Sequence, residues 1–149
     1  MSNRADQFSN GEDWADLIEY LGQYMAGSYP IGRILRMISS CGSSIFRIEV
    51  NRESDWARVT CVTCGESRFI ADSEEQWGED PTSEPVLCPC GDEKFEVVVG
   101  FSLRRDGELR WISVGCRCVA CGILGVCIEW KIDYGPTAHL LQGTSPVAT

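Results

Sequence analysis

Phe95-Glu-Val-Val-Val-Gly-Phe-Ser-Leu-Arg-Arg-Asp-Gly-Glu-Leu-Arg-Trp-Ile-Ser-Val-Gly-Cys-Arg-Cys118 is the stretch on which the fold turns. Phe95, Val97, Val99, Phe101 and Leu103 are apolar, with Glu96, Gly100 and Ser102 between them. That period of two marks a strand. Asp106-Gly107 is a favoured two-residue type I′ turn. Folding the chain back about it sets Phe101 opposite Ile112, Val99 opposite Val114, Val97 opposite Cys116 and Phe95 opposite Cys118. Apolar side chains meet on one face, as a specified register requires.

The register carries a second consequence. Continued past Phe95, it brings Cys88-Pro-Cys90-Gly91 beside Cys118-Val-Ala-Cys121-Gly122. Cys88, Cys90, Cys118 and Cys121 therefore converge. A third turn of the same kind, Cys61-Val-Thr-Cys64-Gly65, lies upstream. Each places two thiols in a tight turn and follows them with a glycine able to take positive φ, an arrangement suited to a tetrahedral zinc ion. A last strand, 125–134, is expected to carry Val126, Ile128, Trp130 and Ile132 on one face.

This order of knuckle, hairpin, knuckle and strand resembles zinc-ribbon proteins, whose rubredoxin-type knuckles read CPxCG or CxxCG. The close likeness covers about residues 86–134 and is to small, mostly uncharacterised bacterial zinc-ribbon proteins. It implies that Cys88, Cys90, Cys118 and Cys121 are ligands, and it implies no activity. Cys88-Pro-Cys90-Gly91 departs from the pattern by being one residue short.

Cys61 and Cys64 are the remaining metal candidates, giving six in all and one or two Zn²⁺ as cofactor. Their turn nearly repeats the text of 118–122, which suggests a pseudo-symmetric pair. Six thiols cannot all bind one tetrahedral ion. Either Cys61 and Cys64 replace one of the other pairs, or they hold a second ion helped by Cys41, Cys127 or His139. Cys116 reads as a core thiol, and Cys127 falls on the polar face of Glu129 and Lys131.

Outward from the ribbon, residues 1–10 read as a disordered lead and 11–42 as a helical segment. Ser9-Asn10-Gly11-Glu12 has capping-box spacing, and Trp14, Leu17, Ile18, Leu21 and Met25 follow a helical stripe ending at Gly27. A second helix is expected from Ser28-Tyr29-Pro30, with Ile31, Ile34, Leu35 and Ile38 on one face and Gly42 closing it. Residues 43–85 hold strands around Phe46–Val50, Arg58–Cys61 and Ser67–Ala71, the first knuckle and an acidic loop. From Asp72 to Pro85 that loop has six acids (Asp72, Glu74, Glu75, Glu79, Asp80, Glu84) and no Lys or Arg. Residues 135–149 read as a flexible tail. The expected fold class is α+β: N-terminal helices followed by an antiparallel zinc-ribbon-like sheet.

The chain has 149 residues, is 44% hydrophobic and carries a formal charge of −9. It can bury a core, so metal reinforces a fold and is not the whole of it. A closed four-thiolate zinc site would add two further negative charges. This balance opposes generic nucleic-acid binding and adsorption to anionic membranes. Arg104, Arg105, Arg110 and Trp111 near the hairpin tip offer only a small basic patch, which leaves a nucleic-acid-binding ribbon as the third choice. No apolar run has the length of a membrane span, and no apolar signal core follows Arg4, so a cytoplasmic location is expected. Nine cysteines in such a compartment favour metal over disulfides.

Catalytic constellations are missing from the sequence. One histidine permits no His-based triad and no HExxH zinc site, and the glycines form no phosphate loop. Carboxylate pairs such as Glu49/Glu53 and Asp106/Glu108 sit on expected solvated faces or turns. The expected function is therefore a non-catalytic zinc ribbon that binds another protein, an acidic adaptor or immunity-like protein for a basic partner. A thiol/zinc redox switch is the alternative.

Overall fold

The computed structural model describes residues 9–26 and 29–132. In chain order the elements are β1 (Ser9–Asn10), α1 (Trp14–Gly22), β2 (Met25–Ala26), β3 (Tyr29–Pro30), β4 (Arg33–Arg36), β5 (Phe46–Asn51), β6 (Trp56–Cys61), β7 (Ser67–Phe69), α2 (Ser73–Glu79), β8 (Glu84–Pro85), β9 (Phe95–Leu103), β10 (Leu109–Cys118) and β11 (Ile123–Lys131). Nine strands form one sheet, ordered β1-β11-β10-β9-β5-β6-β7, with β4 added on β9 and β8 on β5. Every pairing is antiparallel. The molecule is thus mostly β-sheet with two short helices, and the expected α+β arrangement of N-terminal helices ahead of a ribbon does not form.

The second expected helix is where the difference arises. Ile34 and Leu35 lie in β4, hydrogen-bonded along β9 with Leu35 opposite Val99 and Ile34 opposite Gly100. The apolar spacing there fits a strand as well as a helix. Leu35 and Met37 enter the main core, while Ile34 joins the cluster beneath α1 and Arg36 stacks on Trp14 at 4.2 Å. A free stretch of β9 edge, whose polar backbone groups need partners, settles the conformation.

The first helix does form, one turn later than its expected cap. Asp13 is the N-cap, its carboxylate accepting from the Asp16 amide at 3.1 Å. Asp16 accepts in turn from the Glu12 amide at 2.7 Å. Ser9 and Asn10 are instead drawn into β1 against Leu124 and Ile123. Leu17 and Leu21 bury the helix against Val98 and Leu124. Gly100 makes room for this contact: a Cβ there would come within 2.9 Å of Leu21.

The β9–β10 register is the one expected: Phe101 faces Ile112, Val99 Val114, Val97 Cys116 and Phe95 Cys118. The tip differs. Gly107 donates to the Arg104 carbonyl at 3.0 Å, and the Arg104 amide donates to Glu108 at 2.7 Å. Only Gly107 has positive φ, so this is a three-residue turn with a glycine bulge and not a type I′ turn. A further irregularity at Arg110 restores the register.

Two hairpins repeat one plan. Phe46 pairs with Cys61, Ile48 with Val59 and Val50 with Ala57 in β5–β6; Phe95 pairs with Cys118, Val97 with Cys116 and Val99 with Val114 in β9–β10. The units meet at the Phe46–Phe95 pair. Each lead-in strand crosses to the other unit's hairpin. Leu35 and Arg36 pair with Val99 and Val98, as Glu84 and Pro85 pair with Val50 and Glu49. The Met37 amide donates to Val97 at 3.0 Å, and the Val86 amide to Ile48 at 2.9 Å. The arrangement is a pseudo-two-fold with exchanged strands, and each unit ends in a cluster of cysteines.

Candidate metal centres

Centre one gathers Cys88 and Cys90, from the turn entering β9, with Cys118, the last residue of β10, and Cys121, in the turn before β11. The turns are built by their backbones. Gly91 donates to Cys88 at 2.8 Å and Gly122 to Cys118 at 2.8 Å, with φ of 95° and 81°. Gly122 is doubly required, since a Cβ would lie 2.7 Å from the Gly11 carbonyl oxygen. The four sulfurs lie within 4.8 Å of one another, with Cys88 to Cys121 at 3.4 Å and Cys90 to Cys118 at 3.6 Å. A tetrahedral ion with metal–sulfur bonds of about 2.3 Å separates its sulfurs by about 3.8 Å. The short Cys-Pro-Cys spacing therefore does not prevent a four-sulfur cage.

The four thiols stand in unlike environments. Burial pushes the Cys88 and Cys118 thiols up, while the amide of Asp92 pulls Cys90 down. Buried thiols resist ionisation unless a cation compensates the charge. Arg117 ties the N-terminal segment to this end of the sheet. It donates to the Gly11 carbonyl at 2.9 Å and pairs with the mostly buried Glu96 at 2.8 Å.

Centre two gathers Cys41, Cys61 and Cys64. Of the alternatives left open by the sequence, Cys61 and Cys64 do not replace another pair; they join Cys41. Cys41 Sγ lies 3.6 Å from Cys61 Sγ, and Ser39 Oγ lies 3.2 Å from Cys64 Sγ. The Ser39 hydroxyl also lies 3.4 Å from the carboxylate of Glu66, which accepts from the Ser40 amide and hydroxyl and pairs with Arg68 at 3.2 Å. Burial would raise the Cys61 thiol. The Ser39 hydroxyl, the amides of Cys64 and Thr63 and the Cys41 thiol outweigh it and bring Cys61 down to about 6.

Cys127 reaches neither centre. A bulge between Val114 and Gly115 in the β10–β11 register skips it, turning it from the expected polar face toward the core, where its free thiol is a hydrogen-bond partner of the Cys116 thiol. The same bulge puts Val126 with the cluster under α1, while Ile128, Trp130 and Ile132 stay in the main core. Cys116 is the buried core thiol expected. His139 and the tail lie outside the described residues, as does the lead before Ser9. Sequence reasoning passed over Ser39 and Glu66. Ser39-Ser40-Cys41-Gly42 does echo Cys88-Pro-Cys90-Gly91, and that was the available signal.

The acidic loop is partly a structural element. It forms α2 around Trp77, which packs on Phe69. Asp80 takes hydrogen bonds from Thr82, Asn51 and Ser54, which hold its carboxyl down at about 2. Asp72 accepts from the Trp130 indole at 3.2 Å, and Glu84 pairs with Arg52. Glu74, Glu75 and Glu79 remain exposed. At the hairpin tip Arg104 faces Asp106 at 3.4 Å, and the Trp111 indole donates to Glu129 at 2.7 Å. Glu49, considered with Glu53, pairs with Arg58 at 2.7 Å.

Among the described residues no helix is long and apolar enough to cross a membrane. Comparisons with protein-family models, curated proteins and solved structures find no match. The two cysteine groups could each hold a metal ion, and this conclusion stands on their geometry alone.

Proposed function

We propose that the protein is a non-catalytic zinc ribbon, cytoplasmic and acidic, that acts by binding another protein. The observation that carries this reading is the closed set of four sulfurs in centre one, within 4.8 Å of one another at the base of the central hairpin. Four thiolates around one ion leave no position for water or substrate, so such a zinc serves as a staple and not as a Lewis acid. Four cysteines in β-turns followed by glycine suit zinc, and thiolate ligation permits iron as well. When bound the metal would compensate the charge of the Cys88 and Cys118 sulfurs, which burial otherwise keeps protonated.

The partner is proposed to be basic. Net charge is −9, and α2 presents Glu74, Glu75 and Glu79 to solvent with no internal bond to break first. Asp72, Asp80 and Glu84 are excluded from the docking set, because they hold Trp130, the 51–54 turn and Arg52. Electrostatic steering by such a face weakens steeply with salt. The test compares partner capture by wild type and by a Glu74→Ser, Glu75→Ser, Glu79→Ser variant at low and moderate salt. Capture should fall several-fold in the variant, and the gap should narrow as salt rises. Equal capture by both proteins at low salt removes α2 from the interface. Retention of nucleic acid at moderate salt would replace the reading with a nucleic-acid-binding one.

A further inference from the structure

We infer that centre two is a second, exchangeable site for a thiophilic divalent metal ion, in which the Ser39 hydroxyl stands where centre one has its fourth thiolate. The pseudo-two-fold relates the two centres residue by residue. Phe46 corresponds to Phe95 and Cys61 to Cys118 through their identical places in the two hairpins. Counting back from Phe46 and Phe95 sets Cys41 against Cys90 and Ser39 against Cys88. Counting forward from Cys61 and Cys118 sets Cys64 against Cys121 and Glu66 against Ile123.

The backbone supports this correspondence bond by bond. Ser39 N donates to Ser43 O at 2.8 Å, as Cys88 N donates to Asp92 O at 2.9 Å. Gly42 N donates to Ser39 O at 2.9 Å, as Gly91 N does to Cys88 O at 2.8 Å. Val62 N donates to Ile45 O at 3.1 Å, as Val119 N does to Lys94 O at 3.1 Å. Gly42 and Gly91 have φ of 90° and 95°.

The donor atoms follow. Cys41–Cys61 spans 3.6 Å, as Cys90–Cys118 does. Ser39 Oγ sits 3.2 Å from Cys64 Sγ, where Cys88 Sγ sits 3.4 Å from Cys121 Sγ. Ser39 is 1% exposed, so its hydroxyl points into the cluster and not to solvent. The only exchange of donor is thiolate for hydroxyl. It is accompanied by a second one: the apolar Ile123 of centre one is replaced by Glu66, within hydrogen-bond reach of that hydroxyl. Glu66 thus places a carboxylate beside that hydroxyl, paired in turn with Arg68.

Three thiolates and a neutral hydroxyl still prefer a soft, tetrahedral ion. They hold it less tightly than four thiolates, and this donor set is what separates the centres, since Cys41 and Cys64 are exposed just as Cys90 and Cys121 are. This inference rests on the reading that centre one holds zinc, and the experiment separates the two.

The reduced full-length protein is titrated with Co²⁺ and Zn²⁺ and followed by native mass spectrometry and absorbance, then challenged with a colorimetric zinc chelator. Two equivalents should bind. The second cobalt ion should show the weaker thiolate charge-transfer band, in proportion to three sulfurs against four. The second zinc should leave at least about tenfold faster than the first, the low end of what losing even an outer-shell partner costs in metal affinity. Ser39→Cys should slow that release to the rate of centre one, and Cys41→Ser should abolish the second equivalent while keeping the first. A single equivalent in wild type and in Ser39→Cys overturns this inference alone. Release at one common rate, unaltered by Ser39→Cys, overturns it as well. No bound metal in any variant overturns the zinc reading of centre one with it.

Discussion

Centre one and centre two are built on the same turns, yet they stand in different surroundings. Centre one lies at the ends of the three longest strands, β9, β10 and β11, with β1 and the Gly11 carbonyl against its second knuckle. Centre two ends a shorter hairpin and closes on the three-residue β7. The difference teaches that a repeated scaffold can keep its backbone geometry while its two ligand sets diverge. Gly42 and Gly65 still take the positive φ of Gly91 and Gly122, although one ligand of the four has changed.

The widest separation should come from removing equivalent ligands. Cys118→Ser takes a wholly buried sulfur from centre one, and Cys61→Ser takes its counterpart from centre two. Structural zinc in small domains contributes folding free energy directly, so Cys118→Ser should cost about 4 kcal/mol or more. At about 2–4 °C per kcal/mol for a chain of this size, the melting temperature should fall by about 10 °C or more. Cys61→Ser, acting on a site that already lacks a thiolate, should cost less than half as much. Thermal unfolding of both variants, loaded with zinc, checks the ordering. Equal losses would mean that the two centres bear equally on the fold.

How far the sequence disclosed this molecule depends on how local each signal was. The β9–β10 register could be read because alternation along one strand constrains its neighbour across a short turn. The knuckles could be read because the spacing of cysteines and glycine is itself the geometry. The 28–42 segment could not, since Ile31, Ile34 and Leu35 satisfy both periods and the decision belongs to the distant β9 edge. Cys127 was placed on the wrong face because one bulge inverts everything beyond it. Ser39 was missed for a chemical reason. A search for thiols passes over a hydroxyl, and only the alignment of Ser-x-Cys-Gly with Cys-x-Cys-Gly through Phe46 and Phe95 exposes it.

A middle-sized effect should come from Gly100, which sets how the second unit is covered. Its counterpart in the first unit is Asn51, whose amide donates to Asp80 and to the Thr82 carbonyl, each at 2.9 Å. One position therefore admits a helix and the other anchors a polar loop. A Cβ on Gly100 would meet Leu21 at 2.9 Å and Ile31 at 3.0 Å, and the two methyls of valine would have to displace them. Gly100→Val should destabilise by about 1–3 kcal/mol, the range for overpacking a filled site. Metal stoichiometry should not change, because the apolar cluster under α1 contains none of the ligands. Loss of metal in this variant would tie the helix to centre one more closely than the geometry implies.

The smallest effect is expected where the two units already agree in shape. Cys116 on β10 faces Val97, and its counterpart Val59 on β6 faces Ile48. Cys116→Val therefore imports the residue that the other hairpin uses at the same place. The thiol of Cys116 is pushed up by its bond to Cys127 and by burial, so it is a neutral core group with little thiolate character to lose. Its one polar contact, to Cys127, is a weak sulfur hydrogen bond. Valine adds little volume, and the neighbouring cavity of about 230 Å³, lined by Cys88, Cys116 and Cys127 among others, can take it. A volume-conserving exchange of this kind should cost less than about 1.5 kcal/mol. That is a shift in melting temperature of no more than about 6 °C for this size of chain. Metal content should be unchanged. Cys88 shares the cavity wall, however, so the variant also asks whether Cys116 serves centre one. If Cys116→Val loses an equivalent of metal, Cys116 belongs to the ligand set and the symmetry between the hairpins ends at that residue.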